Sequence, residues 1–206
     1  MANSTFCLDS ELVLASNNKG KIAEFELLFS ELNLNTTIIP QGQLHIEDAI
    51  EDGLSFVENA IIKARHAAKL SGRPAIADDS GLVVPILNGA PGIYSARYAG
   101  EHGDDNANNA KLLQDLQPYR QSEQPIKAMF VCVLALVRHA EDPLPIICEG
   151  IWEGEILEQA RGEHGFGYDP LFWLADLSCS SAELPKQEKN KISHRGQAMQ
   201  KFRNLL

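Results

Sequence analysis

The stretch ASNNKGKIAEF, residues 15–25, places Lys19 and Lys21 in what reads as the first turn of a helix, behind the candidate N-cap Asn18. Unsatisfied N–H groups give a helix start partial positive charge, so Asp and Glu collect there and lysines normally do not. The placement becomes favourable if the turn binds an anion. Phosphate would accept hydrogen bonds from the N–H groups, the ammonium groups of Lys19 and Lys21 would offset its charge, and Gly20 would let the backbone approach. Ser16 and Asn17 complete the polar turn. The spacing is not GxxxxGK[ST], and lysines pointing into solvent would cost only about 0.3–1 kcal/mol, so that plainer reading stays open.

A second stretch repeats the pattern. EKNKISHRGQ, residues 188–197, sets His194 and Arg195 in a first turn behind the candidate cap Ser193, with Lys189 and Lys191 just before. An imidazole and a planar guanidinium fork suit phosphate or carbonyl oxygens, although a basic solvated tail would look the same. The acidic counterpart is ADDSG at residues 77–81, with Glu47, Asp48, Glu51 and Asp52 upstream. Asp78 and Asp79 interrupt what should be a buried apolar strand, where carboxylates must be paired, hydrogen-bonded or bound to a cation. Strand side chains alternate, so one acid is expected to face a site and the other to support a turn; a plain D-D-S-G turn is the competing reading. Carboxylates beside lysines supply what Mg2+-assisted phosphoryl chemistry requires, oxygen ligands for a hard cation and a base to position water. GFGYDPLFW, residues 165–173, sets Phe166 between two glycines as a candidate platform for a flat ring, while Phe172 and Trp173 read as core.

The elements that must position these residues are partly legible. Residues 12–15 suit a buried strand, followed by a helix with Ile22, Phe25, Phe29 and Leu32 on its apolar face, then a strand at 36–39 closed by Pro40. Residues 54–72 form the strongest helix, with a capping box at Ser55 and Glu58, an apolar face of Leu54, Val57, Ile61, Ala64 and Ala68, and Gly72 as its stop. On that pattern Lys63 falls on the polar face and reads as solvated. Residues 75–77 and 82–84 look like one interrupted strand, 88–100 an ordered loop, and 105–116 a polar helix. AMFVCVLALVRHA, residues 128–140, suits a central strand buried on both faces, with LPIICEGIWEGEI beside it as a long hairpin arm. A final helix after Ser193 should bury Ala198, Phe202 and Leu205.

Bulk properties narrow the function. A chain of 206 residues, 44% apolar and 22% charged, fits one medium globular domain or two lobes sharing a sheet. Its net charge of −10 argues against a protein that coats a nucleic-acid backbone, so an anionic ligand must be small and held by a local cluster. Cys7, Cys132, Cys148 and Cys179 show neither C-x-x-C nor zinc spacing and read as reduced thiols. The opening MANSTFCLDSELVL lacks a basic segment followed by a long apolar one, and no run of 18 apolar residues occurs, so the expectation is a cytoplasmic protein without a membrane anchor.

Taken together, SNNKGK at 16–21, ENAIIKARHAA at 58–68, AIADDSGL at 75–82, GAPGIYSARYAG at 89–100, GFGYDP at 165–170 and EKNKISHRG at 188–196 resemble the inosine/xanthosine triphosphate pyrophosphatase family. The resemblance runs from about residue 11 to 203 in order and spacing. It implies a single pyrophosphatase domain over residues 1–206: an elongated, two-lobed α/β fold with a mixed, twisted central sheet flanked by helices, a substrate cleft between the lobes, and assembly as a homodimer. The implied reaction is hydrolysis of ITP, dITP and XTP to the monophosphate and pyrophosphate with Mg2+, with no nucleic-acid or membrane partner.

Residue by residue, the resemblance puts the family's Ser/Thr-x-Asn-x-x-Lys motif on Ser16, Asn18 and Lys21. Lys21 is then a triphosphate ligand, with Asn17, Lys19 and Gly20 in the same substrate-binding turn and Lys19 at a variable, surface-prone position. It promotes Lys63 to a substrate ligand and makes Glu51 and Asp79 metal ligands, Asp79 also the general base, Ser80 a substrate contact and Asp78 a supporting acid. The base pocket falls on Phe166, Gly167, Tyr168, Asp169, Lys189, His194 and Arg195. Two readings compete: a phosphohydrolase or kinase acting at the γ-phosphorus, and a nucleotide sensor whose carboxylates hold a structural metal.

Overall fold

The computed structural model describes residues 11–31, 36–120 and 124–205, so the calls on Cys7, Leu32 and the first ten residues lie outside it. It is an α/β protein with one seven-stranded sheet in the order β2 (Thr37–Pro40), β1 (Glu11–Leu14), β3 (Ala75–Val83), β4 (Lys127–Val137), β5 (Ile146–Ile156), β6 (Phe172–Leu174), β7 (Cys179–Ser180). The chain divides into two compact units. One holds the described residues up to Asp79, Cys132–Gly150 and those from Arg195 onward; the other holds Ser80–Val131 and Ile151–His194.

In the first unit, β1 (Glu11–Leu14) pairs in parallel with β2 (Thr37–Pro40) on one side and β3 (Ala75–Val83) on the other. The connections are α1 (Lys19–Glu31) and α2 (Phe56–Ser71). Parallel crossovers are right-handed, so two that step in opposite directions across a sheet leave their helices on opposite faces. Asn18 caps α1 as expected, its Oδ1 accepting the Lys21 N–H at 3.0 Å. Phe25, Leu28 and Phe29 of α1 pack with Leu12, Leu14, Ile76, Cys132, Leu134 and Leu136, and with Ala198, Met199 and Phe202 of α5 (His194–Arg203), the helix that follows α4 (Lys186–Ile192) in the chain. Complete burial of a ring such as Phe202 is worth about 1.5–3 kcal/mol, enough to anchor a helix as short as α5. Leu205 lies beyond that helix and is half exposed, contrary to expectation.

The ends of α2 are as read. Ser55 accepts from the Glu58 N–H, the Glu58 carboxylate accepts from Leu54 N–H and the Ser55 hydroxyl, and Gly72 closes the helix at φ 67°. Its buried face is so only in part: Ala64 and Ala68 are buried as expected, but Leu54 and Val57 are exposed. Leu54 is 85% exposed, whereas Asn59, Ala60, Ala64, Ala67 and Ala68 face inward. A stripe of alanines lets the helix lie close to the sheet, and bulk at Leu54 and Val57 misplaced the apolar face by part of a turn.

In the second unit, Leu82 and Val84 pack with Leu112 and Leu116 of α3 (Asp105–Leu116), Phe130, Trp152, Tyr168, Leu171 and Phe172. β4 (Lys127–Val137) neighbours β5 (Ile146–Ile156) in the sheet and is buried on both faces over most of its length. β6 (Phe172–Leu174) runs antiparallel to both β5 and β7 (Cys179–Ser180), which makes the sheet mixed. The loop at 88–100 contains a short 3-10 turn, Gly92–Arg97. Among the described residues Cys132, Cys148 and Cys179 are free thiols, the first two buried, and no helix is long and apolar enough to cross a membrane.

Candidate active site

The acidic pair lies within a strand, not a turn. β3 runs without a break through AIADDSGLV, and Asp78 and Asp79 are both buried. Alternation sends them to opposite faces, as expected, but neither supports a turn. On the α1 face, Asp78 Oδ1 lies 3.0 Å from Lys21 Nζ and Oδ2 accepts from Arg195 Nη2 at 3.0 Å. Arg195 Nη1 also pairs with Glu24, a buried carboxylate of α1. Burial opposes the charge of Asp78, yet Lys21 and Arg195 more than offset it and hold its carboxyl well below the ordinary range. The reading of Arg195 as part of a solvated tail is therefore overturned, and its guanidinium is committed to two carboxylates.

On the α2 face, Lys63 Nζ sits 2.7 Å from Asp79 Oδ1 and 3.3 Å from Glu51 Oε1, its side chain only 11% exposed. Lys63 is thus not solvated; it follows the alanine stripe inward. Asn59 Nδ2 approaches Asp79 Oδ2 at 3.4 Å. Burial raises the pKa of Asp79 and the Lys63 charge only partly counters it; burial likewise disfavours the Lys63 ammonium, but Asp79, Asp78 and Glu51 prevail and raise its pKa. The ion pairs around Asp78 and Asp79 bring together three cations, Lys21, Lys63 and Arg195, and four carboxylates, Glu24, Glu51, Asp78 and Asp79. Two oxygens that converge on one ammonium group form a donor set that fits a hard divalent ion. Among the described residues no group of three or more His, Cys, Asp or Glu forms an all-protein cage, so such an ion would need water or phosphate to complete its shell.

The turn before α1 is braced beside this cluster. Ser16 Oγ accepts the Asn18 N–H at 3.2 Å, and Asn17 and Gln41 both donate to Asp48. Lys19 and Gly20 are exposed.

In the second unit, Phe166 is 39% exposed between Gly165 and Gly167, which hold φ of 80° and 63°. Tyr168 is buried and donates its hydroxyl to the Ser95 carbonyl at 2.8 Å, so it belongs to the core. Asp169 is also buried: Oδ1 accepts from Ser181, and Oδ2 accepts from Lys189 at 2.5 Å and from the Phe166 N–H at 2.9 Å. Lys189 Nζ lies 5.4 Å from the Phe166 ring centroid. The buried His194 ring stacks on Phe130, centroids 4.9 Å apart at 14°, so it too is no solvated tail. Ser80 is half-buried.

Sequence reasoning missed Glu24, Asn59 and Ser181. Glu24 left one signal: it precedes Phe25 and stands four residues before Leu28, inside the apolar stripe of α1, where a carboxylate requires a partner.

Fold and site define an α/β protein whose third strand presents two buried carboxylates to lysines on both faces of the sheet. The Ham1 family model matches residues 12–205, and the chain belongs to the Ham1 family. It is 77% identical over 195 residues to the dITP/XTP pyrophosphatase of Acinetobacter baylyi, covering 95% of this chain and 93% of that one. The dITP/XTP pyrophosphatase of Pseudomonas aeruginosa is 59% identical over 189 residues, covering 92% and 93%. Among solved structures, a HAM1 protein from Coxiella burnetii matches with a TM-score of 0.87 at 48% identity, covering 96% of this chain and 98% of that one.

Proposed function

We propose that this chain is a single-domain enzyme that hydrolyses non-standard purine nucleoside triphosphates, ITP, dITP and XTP, to the nucleoside monophosphate and pyrophosphate. The observation that carries the reading is the convergence of Glu51 and Asp79 on Lys63, in a chain closely similar to proteins named for that reaction.

Lys21 and Lys63 take the triphosphate charge. Asp78 remains ionised and keeps Lys21 in place. Asp79, whose proton affinity burial raises, accepts a proton from the water that attacks the α-phosphorus as the bond to the pyrophosphate oxygen breaks. Glu51 and Asp79 would hold Mg2+, which when bound offsets the excess carboxylate and polarises phosphoryl oxygens. Ser16, Asn17, Asn18, Lys19, Gly20 and Ser80 line the phosphate end.

Phe166 offers its exposed face to the purine. With the Arg195 guanidinium engaged by Glu24 and Asp78, reading of the 6-keto oxygen falls to the backbone of the turn at His194. A donor fixed there rejects a 6-amino purine, because it would meet another donor. Gly167, Tyr168, Asp169 and Lys189 position Phe166. The homodimer implied by the resemblance and the cytoplasmic location expected from the sequence belong to this proposal, and sedimentation tests the first.

The deciding experiment incubates the purified protein with Mg2+ and, separately, XTP, ITP, ATP and GTP, and assays pyrophosphate and orthophosphate in parallel. Pyrophosphate released selectively from XTP and ITP, and abolished by EDTA, is expected. Orthophosphate would move the attack to the terminal phosphorus, and neither product from a folded protein would reduce the site to binding.

A further inference from the structure

The exposed ring of Phe166 sits on a loop that should not be rigid. Glycines flank it, and glycine loses more backbone freedom on ordering than any other residue. Asp169 holds the Phe166 N–H from within the loop, and a second hold comes from a helix about 60 residues away in sequence. Asp105 Oδ2 accepts the Gly167 N–H at 2.7 Å, and Asn109 Nδ2 donates to the Gly167 carbonyl at 2.9 Å. Both polar groups of one peptide unit pair are therefore held by two side chains of α3, spaced i, i+4 on one face.

The assignment of residues at this helix start is selective. Asp104 is the N-cap, its Oδ1 accepting the Ala107 N–H at 2.9 Å, which leaves Asp105 to reach the loop. Asn109 donates to the loop while its Oδ1, buried, has no hydrogen-bond partner among the described residues.

We propose that Asp105 and Asn109 are positioning residues for purine recognition: they clamp Gly167 and so fix the plane that Phe166 presents to the base. This rests on the reading of Phe166 as the purine platform. A pre-ordered ring binds a base without the entropic cost of ordering the loop. The clamp therefore acts on KM for nucleotides and leaves the phosphate end untouched.

The test compares wild type, Asn109→Ala, Asp105→Ala and Asp105→Asn in steady-state hydrolysis of XTP, with inhibition by inorganic tripolyphosphate, which has no base, measured alongside. Loss of one such hydrogen bond raises KM for XTP about five- to tenfold in the two alanine variants. The expected pattern has kcat within about twofold of wild type, in keeping with a contact that acts on binding alone. The tripolyphosphate inhibition constant is unchanged, and Asp105→Asn, which keeps an acceptor for the Gly167 N–H, stays near wild type. Melting by circular dichroism verifies folding, and Asp105→Asn serves if an alanine variant does not fold: a KM equal to that of wild type then supports the acceptor role, and a raised KM overturns it. Unchanged KM in both alanine variants, or KM and the tripolyphosphate constant rising together, overturns the clamp. Failure of wild type to release pyrophosphate from XTP overturns the underlying function instead, so the two failures are distinguishable.

Discussion

Replacing Arg195 with Met tests whether the basic turn before α5 serves the inside of the protein. Arg195 is 3% exposed and pairs with Glu24 and Asp78, both buried. Asp78 retains Lys21 after the substitution, but Glu24 loses the cation that neutralises it. Breaking a buried pair in this way costs about 3–5 kcal/mol, because one charge stays buried and uncompensated. For a chain of this size that lowers the thermal midpoint by roughly 6–20 °C. A contact to substrate at the surface would change stability by only about 0.5 kcal/mol. The assay is urea unfolding followed by circular dichroism, run as a double-mutant cycle with Glu24→Met. Removing both charges takes away the uncompensated acid, so the double variant recovers at least about 1.5 kcal/mol relative to the sum of the singles. An Arg195→Met cost below about 1 kcal/mol, or strict additivity, would refute the buried network.

Asp79→Asn is expected to lower kcat for XTP by roughly 10²- to 10⁴-fold, the usual worth of a general base, with the thermal midpoint near that of wild type; unchanged turnover removes Asp79 from the chemistry. Asp142 accepts from the Arg138 N–H and guanidinium and from the Leu144 N–H, and Arg138 holds its carboxyl well below the ordinary range despite burial. A depressed folded pKa means stability that is present above the unfolded value, about 4, and lost as pH falls below it, so Asp142→Ala melts lower than wild type at pH 7 and the gap closes in acid; a gap equal at pH 7 and pH 3 contradicts this. At Gly154, an added Cβ would stand 2.6 Å from Phe172 Cζ and 2.7 Å from the Trp173 carbonyl oxygen. Gly154→Ala should cost about 1–3 kcal/mol by overpacking, read as a lower melting temperature with kcat intact.

Local signals predicted local structure well. The limits of α3, the cap at Asn18, the stop at Gly72 and the two-faced burial of β4 all follow from caps, periodicity and β-branched content over a few residues. What local patterning could not reveal is pairing at long range. Glu24 and Arg195 are 171 residues apart, and neither alone announces the other. Lys63 was misread because the pattern weighted large side chains, whereas α2 turns its smallest ones inward. Asp78 and Asp79 mimic turn chemistry so closely that only the burial of β3 on both sides identifies them as strand residues.

The network around Asp78 also has a calendar. The cation that completes it lies 117 residues downstream of that aspartate. At ribosomal speeds of about 5–20 residues per second, Asp78 and Glu24 wait on the order of ten seconds after their own synthesis before Arg195 exists. Until then Asp78 has Lys21 as its cation but Glu24 lacks the guanidinium, so closing α1 onto β3 would bury an uncompensated acid. The packing of α1 on β3 is thus completed only once Arg195 has been made, and a nascent chain released before that residue has the carboxylates of this unit but not the guanidinium that makes their burial tolerable.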